Sequence, residues 1–285
     1  MFWGMPQPIF FDHIKIIPAY EIVSHRSLWS FVSLFLILIL FGKIKEVKKI
    51  LFDKLYLSLL LISGILITCN WIGFIIAISL NRLQDASMGY YLSPIISIML
   101  GFLVLKENLS KLKITSILLI LIAIFYLLLS SKSFPLLALL IGFTFAFYGL
   151  IRKRINVSSE IGLFFESGFI SIFAIIYLIY LYINGTSYFL NNNYYSFLLI
   201  LTGPITVFPL FFFNIGVRNI QLGLAGIIFY LAPTFHFLTS IFILKENLNN
   251  NKLIAFIIIW VAVIIYIYDS LKKEKINENN TQLLN

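Results

Sequence analysis

Charge is scarce in this chain. Only 12% of its 285 residues are Asp, Glu, Lys or Arg, about half the roughly 25% of ordinary soluble domains. No polar run is long enough to fold as a soluble domain; the longest are 42–54 and the tail from Lys272. Cysteine occurs once, at Cys69, which excludes an internal disulfide and says little about redox compartment. The three histidines, His13, His25 and His236, sit in different segments without His-x-x-x-His or Glu-x-x-His spacing, and no glycine-rich phosphate loop is present. Metal and nucleotide chemistry therefore have no carrier, no cofactor is expected, the chain does not read as an enzyme, and ATP-driven transport would need a separate subunit. The first 30 residues lack the basic start, apolar run and small-residue cleavage site of a secretory signal.

What is present is apolar. Hydrophobic residues make up 60% of the chain and mean hydropathy is +0.98, so the bilayer is its main solvent. The net charge of +9 resides in short loops between apolar runs, as membrane orientation requires, and does not imply a nucleic-acid partner. Spans are expected at 17–41, 55–80, 86–105, 113–130, 134–152, 158–183, 195–216, 222–244 and 252–269, each long enough for a hydrocarbon core of ~30 Å. The segment from Phe2 to Phe11 is too short to cross.

One unit occurs twice. Residues 91–109 read YLSPIISIMLGFLVLKENL and residues 230–248 read YLAPTFHFLTSIFILKENL, an offset of 139 that superimposes Tyr91 on Tyr230, Pro94 on Pro233 and Lys106-Glu107-Asn108-Leu109 on Lys245-Glu246-Asn247-Leu248. A second match, at an offset of 145, aligns Trp3-Gly4 with Tyr148-Gly149 and Glu21 with Glu166. By that alignment the first half lacks roughly eleven residues of its leading helix, counted against a full bilayer crossing. The expected fold is therefore an all-α polytopic membrane protein of ten transmembrane helices in two inverted five-helix repeats, the first helix truncated. The repeats are 1–131 and 132–270, with 271–285 a polar cytoplasmic tail. An odd number of helices per half turns the second repeat upside down, a pattern common among transporters. With both termini cytoplasmic, six of the 21 Lys and Arg fall outside (Lys15, Arg26, Arg82, Lys132, Lys245, Lys252) and the other fifteen inside, the bias expected of a plasma-membrane protein.

Several segments resemble the RarD family, a branch of the EamA-type transporters in the drug/metabolite transporter superfamily: PAYEIVSHRSLWSF (18–31), the pair Asn70-Trp71, ASMGYYLSP (86–94), FAFYGLIRKR (145–154), the YLAP segment and FIIIWVAV (256–263). The resemblance spans Trp3 to about Ser270. It implies a ten-helix secondary transporter of the inner membrane, in a family named for chloramphenicol sensitivity. Departures are the short first helix, Ser93 where the family often has Asn, and Phe229 where Gln is common; the last two alter the polarity of a central cavity.

Ionisable residues inside spans are costly and therefore functional candidates. Glu21, His25 and Trp29 share a helix face, with Arg26 beside them; the alternative is an interfacial Glu21–Arg26 pair that pins a helix end. Glu166 lies ~12 Å into its span at 1.5 Å per residue. The nearest cations in sequence, Arg152 to Arg154, belong to the loop, so Glu166 is expected to lie without one, to exchange a proton or bind a cationic group, with Glu21 as its inverted counterpart; the alternative is a fixed bond to a neighbouring helix. Pro94 and Pro233 interrupt helices and free carbonyls for a ligand, with Ser97 and His236 three residues on. Tyr90, Tyr91, Tyr148, Tyr230, Asn70 and Trp71 would add aromatic and amide surface to a cavity. Tyr91 and Tyr230 with their prolines are expected to face it together. Lys106-Glu107 and Lys245-Glu246 read as anchors and caps.

Alternating-access transport of a small organic solute, a drug or metabolite, is the leading reading. Uptake of a host metabolite such as S-adenosylmethionine, a non-transporting remnant or membrane subunit, and an intramembrane enzyme are its rivals. The expected partners are a small-molecule substrate and the lipid bilayer, with a homodimer left open.

Overall fold

The computed structural model describes residues 5–106, 110–130, 136–220, 229–248 and 250–283. Within them the chain forms α1 (Pro6–His13), α2 (Ala19–Leu40), α3 (Ile44–Leu51), α4 (Lys54–Ser79), α5 (Leu83–Leu105), α6 (Lys111–Ser130), α7 (Leu136–Arg154), α8 (Ser159–Ile183), α9 (Asn193–Asn219), α10 (Leu231–Phe242) and α11 (Asn250–Leu283). Seven of these, α2, α4, α5, α7, α8, α9 and the first part of α11, are long and apolar enough to cross a membrane, and α10 is a shorter apolar helix. The outward faces are greasy: Leu40, Phe173 and Ile183 are 81%, 69% and 75% exposed. Water would not tolerate so much apolar surface, whereas lipid does. The protein is all-α, polytopic and membrane-embedded.

Helix ends follow local chemistry. Asp53 accepts from Tyr56 N (3.0 Å) to start α4, and Asn192 accepts from Tyr194 N and Tyr195 N to start α9, each side chain satisfying backbone donors that the first turn leaves open. The two copies of the Lys-Glu-Asn turn share a backbone feature: Lys106 and Lys245 are both left-handed, at φ 57° and 54°. Glu246 then reaches the start of α5, accepting from Leu83 N (2.7 Å) and Gln84 N (3.1 Å). The cap expected of this motif is thus seen for the second copy, and it caps a helix of the other half. Burial raises the Glu246 carboxyl above its ordinary range in spite of those two bonds. Glu107 to Leu109 lie outside the described residues.

Three features differ from the sequence-based expectation. The basic stretch at 42–54 contains a helix, α3, whose Val47 and Ile50 pack on Leu38, Leu60 and Ile155 while its lysines face outward; it is too short to span, and apolar residues three and four apart give it one sticky side. The polar tail continues α11 as helix to Leu283, because Lys, Glu and Gln are good helix formers. Pro233 lies in the first turn of α10, where a missing N–H costs little, whereas Pro94 is interior to α5. Residues 221–228, part of the expected 222–244 span, are outside the described ones.

α2 packs against α8 and α9, α4 against α7 and α8, α5 against α7 and α10, and α6 against α11. Close crossings join α2 to α9, where a Cβ on Gly203 would come within 2.3 Å of the Trp29 backbone, and α5 to α7, where one on Gly89 would come within 2.7 Å of Ala138 O and one on Gly142 within 2.8 Å of Leu92 Cβ. Small residues here let two backbones touch, the usual device for helix association in lipid. Among the described residues, two apolar cores are much the largest. The larger holds Phe11, Ile22, Trp71, Phe74, Tyr90, Phe145 and Leu210; the smaller, against α11, holds Tyr91, Tyr230, Phe237 and Phe256.

Candidate functional site

Near the middle of the larger core, residues from both halves surround a small cavity of about 10 Å³. Gln7, Arg26, Ile67, Asn70, Trp71 and Tyr90 contribute from the first half, and Phe145, Leu210, Phe229 and His236 from the second. The volume holds about one water-sized probe, so in this conformation the side chains nearly fill the centre. Arg26 is 3% exposed. Its guanidinium carbon stands 4.5 Å from the Trp71 ring centroid and 5.0 Å from that of Phe11, close enough for cation–π attraction. Its Nε donates to Thr206 Oγ1 on α9 (2.7 Å), and its Nη1 has no hydrogen-bond partner. The Asn70 amide is fixed: Nδ2 donates to Ile141 O (3.0 Å), and Oδ1 accepts from Tyr90 OH (2.9 Å). The His236 ring sits 5.3 Å from Tyr90 and 5.4 Å from Phe74, and Phe145 stacks on Phe229 at 4.6 Å. Five of the expected site residues, Arg26, Asn70, Trp71, Tyr90 and His236, therefore meet in one place.

Glu166 is elsewhere and is not bare. Ser63 Oγ donates to its Oε1 (2.6 Å), Tyr148 OH donates to its Oε2 (3.2 Å), and Arg152 Nη1 stands 3.6 Å from Oε1. Asn214 Nδ2 in turn donates to Tyr148 OH (2.7 Å). The expectation of a carboxylate without a cation is corrected: Arg152 is fully buried although it belongs to the last turn of α7. Gly162 permits this, since a Cβ there would fall 1.7 Å from Arg152 Nη1. The guanidinium thus occupies the space a side chain on α8 would take and reaches inward to Glu166. The network ties α4, α7, α8 and α9, with its charges paired as burial demands.

Glu21 is also fully buried and is not paired with Arg26. Its Oε1 accepts from Ser187 Oγ and Tyr188 N, both at 2.8 Å, fastening α2 to the loop after α8. His25 and Trp29 share a face as expected, Trp29 Nε1 donating to His25 Nδ1 (3.3 Å). They open on a lateral groove of about 310 Å³ with Ile179, Tyr182 and Phe189, which shares no lining residue with the Arg26 cavity.

Tyr91 and Tyr230 do meet, with rings 5.8 Å apart, but in the smaller core and not at the Arg26 cavity. Trp260 Nε1 donates to Tyr91 OH (2.7 Å), which bonds Thr234 Oγ1 (2.7 Å), itself a donor to Tyr230 O (2.9 Å). Tyr91 borders a separate cavity of about 260 Å³ between α5, α6, α7 and α11, with Arg82, Asp85 and Lys252 at its polar end. Pro94 and Pro233 are buried and line neither cavity; Ser87 Oγ bonds Pro233 O (2.8 Å) across α5 and α10. The residues that sequence reading missed are Arg152, Ser63, Thr206 and Gln7. Gly162 was the available signal for Arg152, four residues before Glu166 and so on the same helix face.

Comparison with known proteins gives the chain its relatives. Residues 1–129 and 133–268 match the EamA-like transporter family. An uncharacterised transporter of Vibrio cholerae is 36% identical over 95% of this chain and 89% of its own length. Protein RarD of Escherichia coli K12 is 31% identical over 96% and 92%, and the uncharacterised transporter YojE of Bacillus subtilis is 31% identical over 98% and 94%. A protein of known crystal structure superposes at TM-score 0.62 over 93% of this chain and 96% of its own, at 14% identity, and so shares the fold. Matched along nearly its whole length, the chain belongs to the EamA-like transporter family, on its RarD branch.

Proposed function

We propose that this secondary transporter moves a small organic solute by alternating access, its two five-helix halves, residues 1–131 and 132–270, rocking about the Arg26 cavity. The chain acts as a transporter and not as an enzyme. The observation that carries the mechanism is that one small cavity is lined from both halves, which is what a site exposed first to one side and then to the other requires. The packing supports an inverted pair. Under the sequence repeat α2 corresponds to α8, α5 to α10 and α6 to α11, and each packs on its own equivalent. The contact of α2 with α9 is likewise matched by that of α8 with α4. Counting α1, the described residues supply ten helices to the two halves, with the short α3 outside the repeat.

Glu21 and Glu166, equivalent in the repeat, fasten opposite ends of this arrangement. Glu21 holds the loop at Ser187 and Tyr188, and Glu166 holds Arg152, Ser63 and Tyr148. We assign both as ties that release in turn as each side opens. The charge bias favours cytoplasmic termini in an inner membrane, with residues 271–285 inside. Labelling cysteines placed at Asn191 and Lys48 is expected to find the first outside and the second inside.

The function is tested by uptake and efflux of a labelled panel of metabolites and drugs in reconstituted vesicles, with and without a pH gradient. The wild type is expected to accumulate or exchange at least one solute; transport of none contradicts the proposal. Glu166→Gln is expected to change the exchange rate and leave the pH dependence intact. Loss of pH-driven accumulation with exchange retained would instead assign Glu166 to proton coupling.

A further inference from the structure

Two buried arginines stand close to the two functional regions, and only one has its charge answered. Arg152 faces the Glu166 carboxylate at 3.6 Å. Arg26, almost as deeply buried, has one neutral hydroxyl, Thr206, and two aromatic faces, Trp71 and Phe11. None of the residues around its cavity is Asp or Glu, and the acidic residue nearest in sequence, Glu21, turns its Oε1 to Ser187 and Tyr188 and makes no ion pair with Arg26. Burying an isolated charge is expensive; among the described residues Nη1 of Arg26 has no acceptor, and whereas Arg152 also has donors without a hydrogen bond, it has a carboxylate within ion-pair distance. A guanidinium presents N–H donors in a planar fork that matches the oxygens of carboxylate or phosphate. Here the Nε side of the fork is anchored on α9 and an Nη donor is left over.

The rest of the cavity suits the other end of such a molecule. Trp71, Tyr90, Phe145 and Phe229 give flat, apolar walls, and Asn70 and His236 add polar edges. A cation entering here would meet Arg26 with no carboxylate to offset it.

Resting on the transport reading above, we infer that Arg26 anchors the anionic group of the transported solute, a small organic acid whose carboxylate or phosphate bonds the guanidinium while a planar body lies among Trp71, Tyr90, Phe145 and Phe229. The cavity must widen to admit it, which alternating access provides.

The test uses the full chain in detergent and four matched probes: benzoate, phenyl phosphate, benzamide and benzylamine, at constant ionic strength. Thermal unfolding is followed as each is titrated. Benzoate or phenyl phosphate is expected to raise the unfolding temperature saturably, while the amide and amine do not; whichever acid acts better tells carboxylate from phosphate. Arg26→Gln is expected to move half-saturation by the acid about 10- to 100-fold higher, the loss expected when charge-assisted hydrogen bonds are removed. Arg26→Lys, which keeps the charge, is expected to fall between. If Arg26→Gln fails to fold, the ranking of the four probes on the wild type and the Arg26→Lys shift still decide. Equal stabilisation by the amide or amine, no stabilisation by either acid, or an unchanged half-saturation in the arginine variants overturns the inference. Transport of neutral or cationic solutes in vesicles, unaffected by Arg26→Gln, overturns it while leaving the transport reading intact. Arg26-dependent acid binding without transport of any solute does the reverse.

Discussion

Arg26 and Arg152 are both buried guanidiniums in helices expected to span the bilayer, yet they lie in opposite surroundings. Arg152 enters the core through the gap left by Gly162 and finds a carboxylate, with Ser63 and Tyr148 completing that carboxylate's shell. Arg26 finds a threonine and two rings. The first arrangement stabilises the packed state, because removing one partner strands the other's charge. The second leaves a charge whose best partner is not in the protein. Burial alone therefore does not mark a ligand site in a membrane transporter; what surrounds the charge does.

Breaking the paired site should have the largest effect. Arg152→Met strands Glu166 and is expected to cost about 3–5 kcal/mol in unfolding free energy, with Glu166→Gln in the same chain restoring most of it; denaturant unfolding in mixed micelles measures both. Gly162→Ala keeps both charges but puts a methyl group where the guanidinium lies, and is expected to cost about 1–3 kcal/mol, as overpacking does. Arg26→Met sharpens the contrast. It removes a hydrogen bond worth about 0.5–1.5 kcal/mol but also relieves the burial of an unanswered charge, so stability is expected to change by less than about 1 kcal/mol while acid binding is lost. A fall comparable with that of Arg152→Met would remove the distinction.

The smallest effect belongs to a third cation, at the surface. Lys43, beyond the end of α2, bonds Glu160 at the start of α8, and that bond raises the lysine above its ordinary value. A raised lysine contributes stability that is fully present below pH 10.5 and is lost as pH rises through its folded-state value. Lys43→Met is therefore expected to flatten the loss of unfolding stability as pH rises beyond 10.5. The change at neutral pH is expected to be under about 1 kcal/mol, as for exposed ion pairs.

Much of this was legible in the chain itself. Long apolar runs give helices of fixed length because the bilayer core has fixed thickness, and the expected spans at 55–80 and 158–183 match α4 and α8 within a residue. The i, i+4 pairing of His25 and Trp29 also follows from a local rule, whereas the helix that Glu246 caps lies in the other half and is set by packing. What could not be read is where long side chains end. Arg152 sits at a helix end, where sequence reasoning assigns charge to the loop, yet its flexible stem carries the guanidinium into the core. The reading of Tyr91 and Tyr230 as cavity walls failed to separate two aromatic clusters on adjacent faces of α5. Tyr90 points to one and Tyr91 to the other, a rotation of about 100° that only packing reveals.

The central claim is that one cavity between the halves opens in turn to each side. It is tested most directly by Ile67→Cys in a Cys69→Ser chain, since Ile67 lines the cavity, using a membrane-impermeant thiol reagent applied to either face of reconstituted vesicles. Alternating access predicts labelling from both faces. Closing the Glu21 side with a short bifunctional thiol-reactive cross-linker between Glu21→Cys and Ser187→Cys should then leave labelling from the opposite face alone. Labelling from neither face before cross-linking, or from both faces after it, would contradict the mechanism.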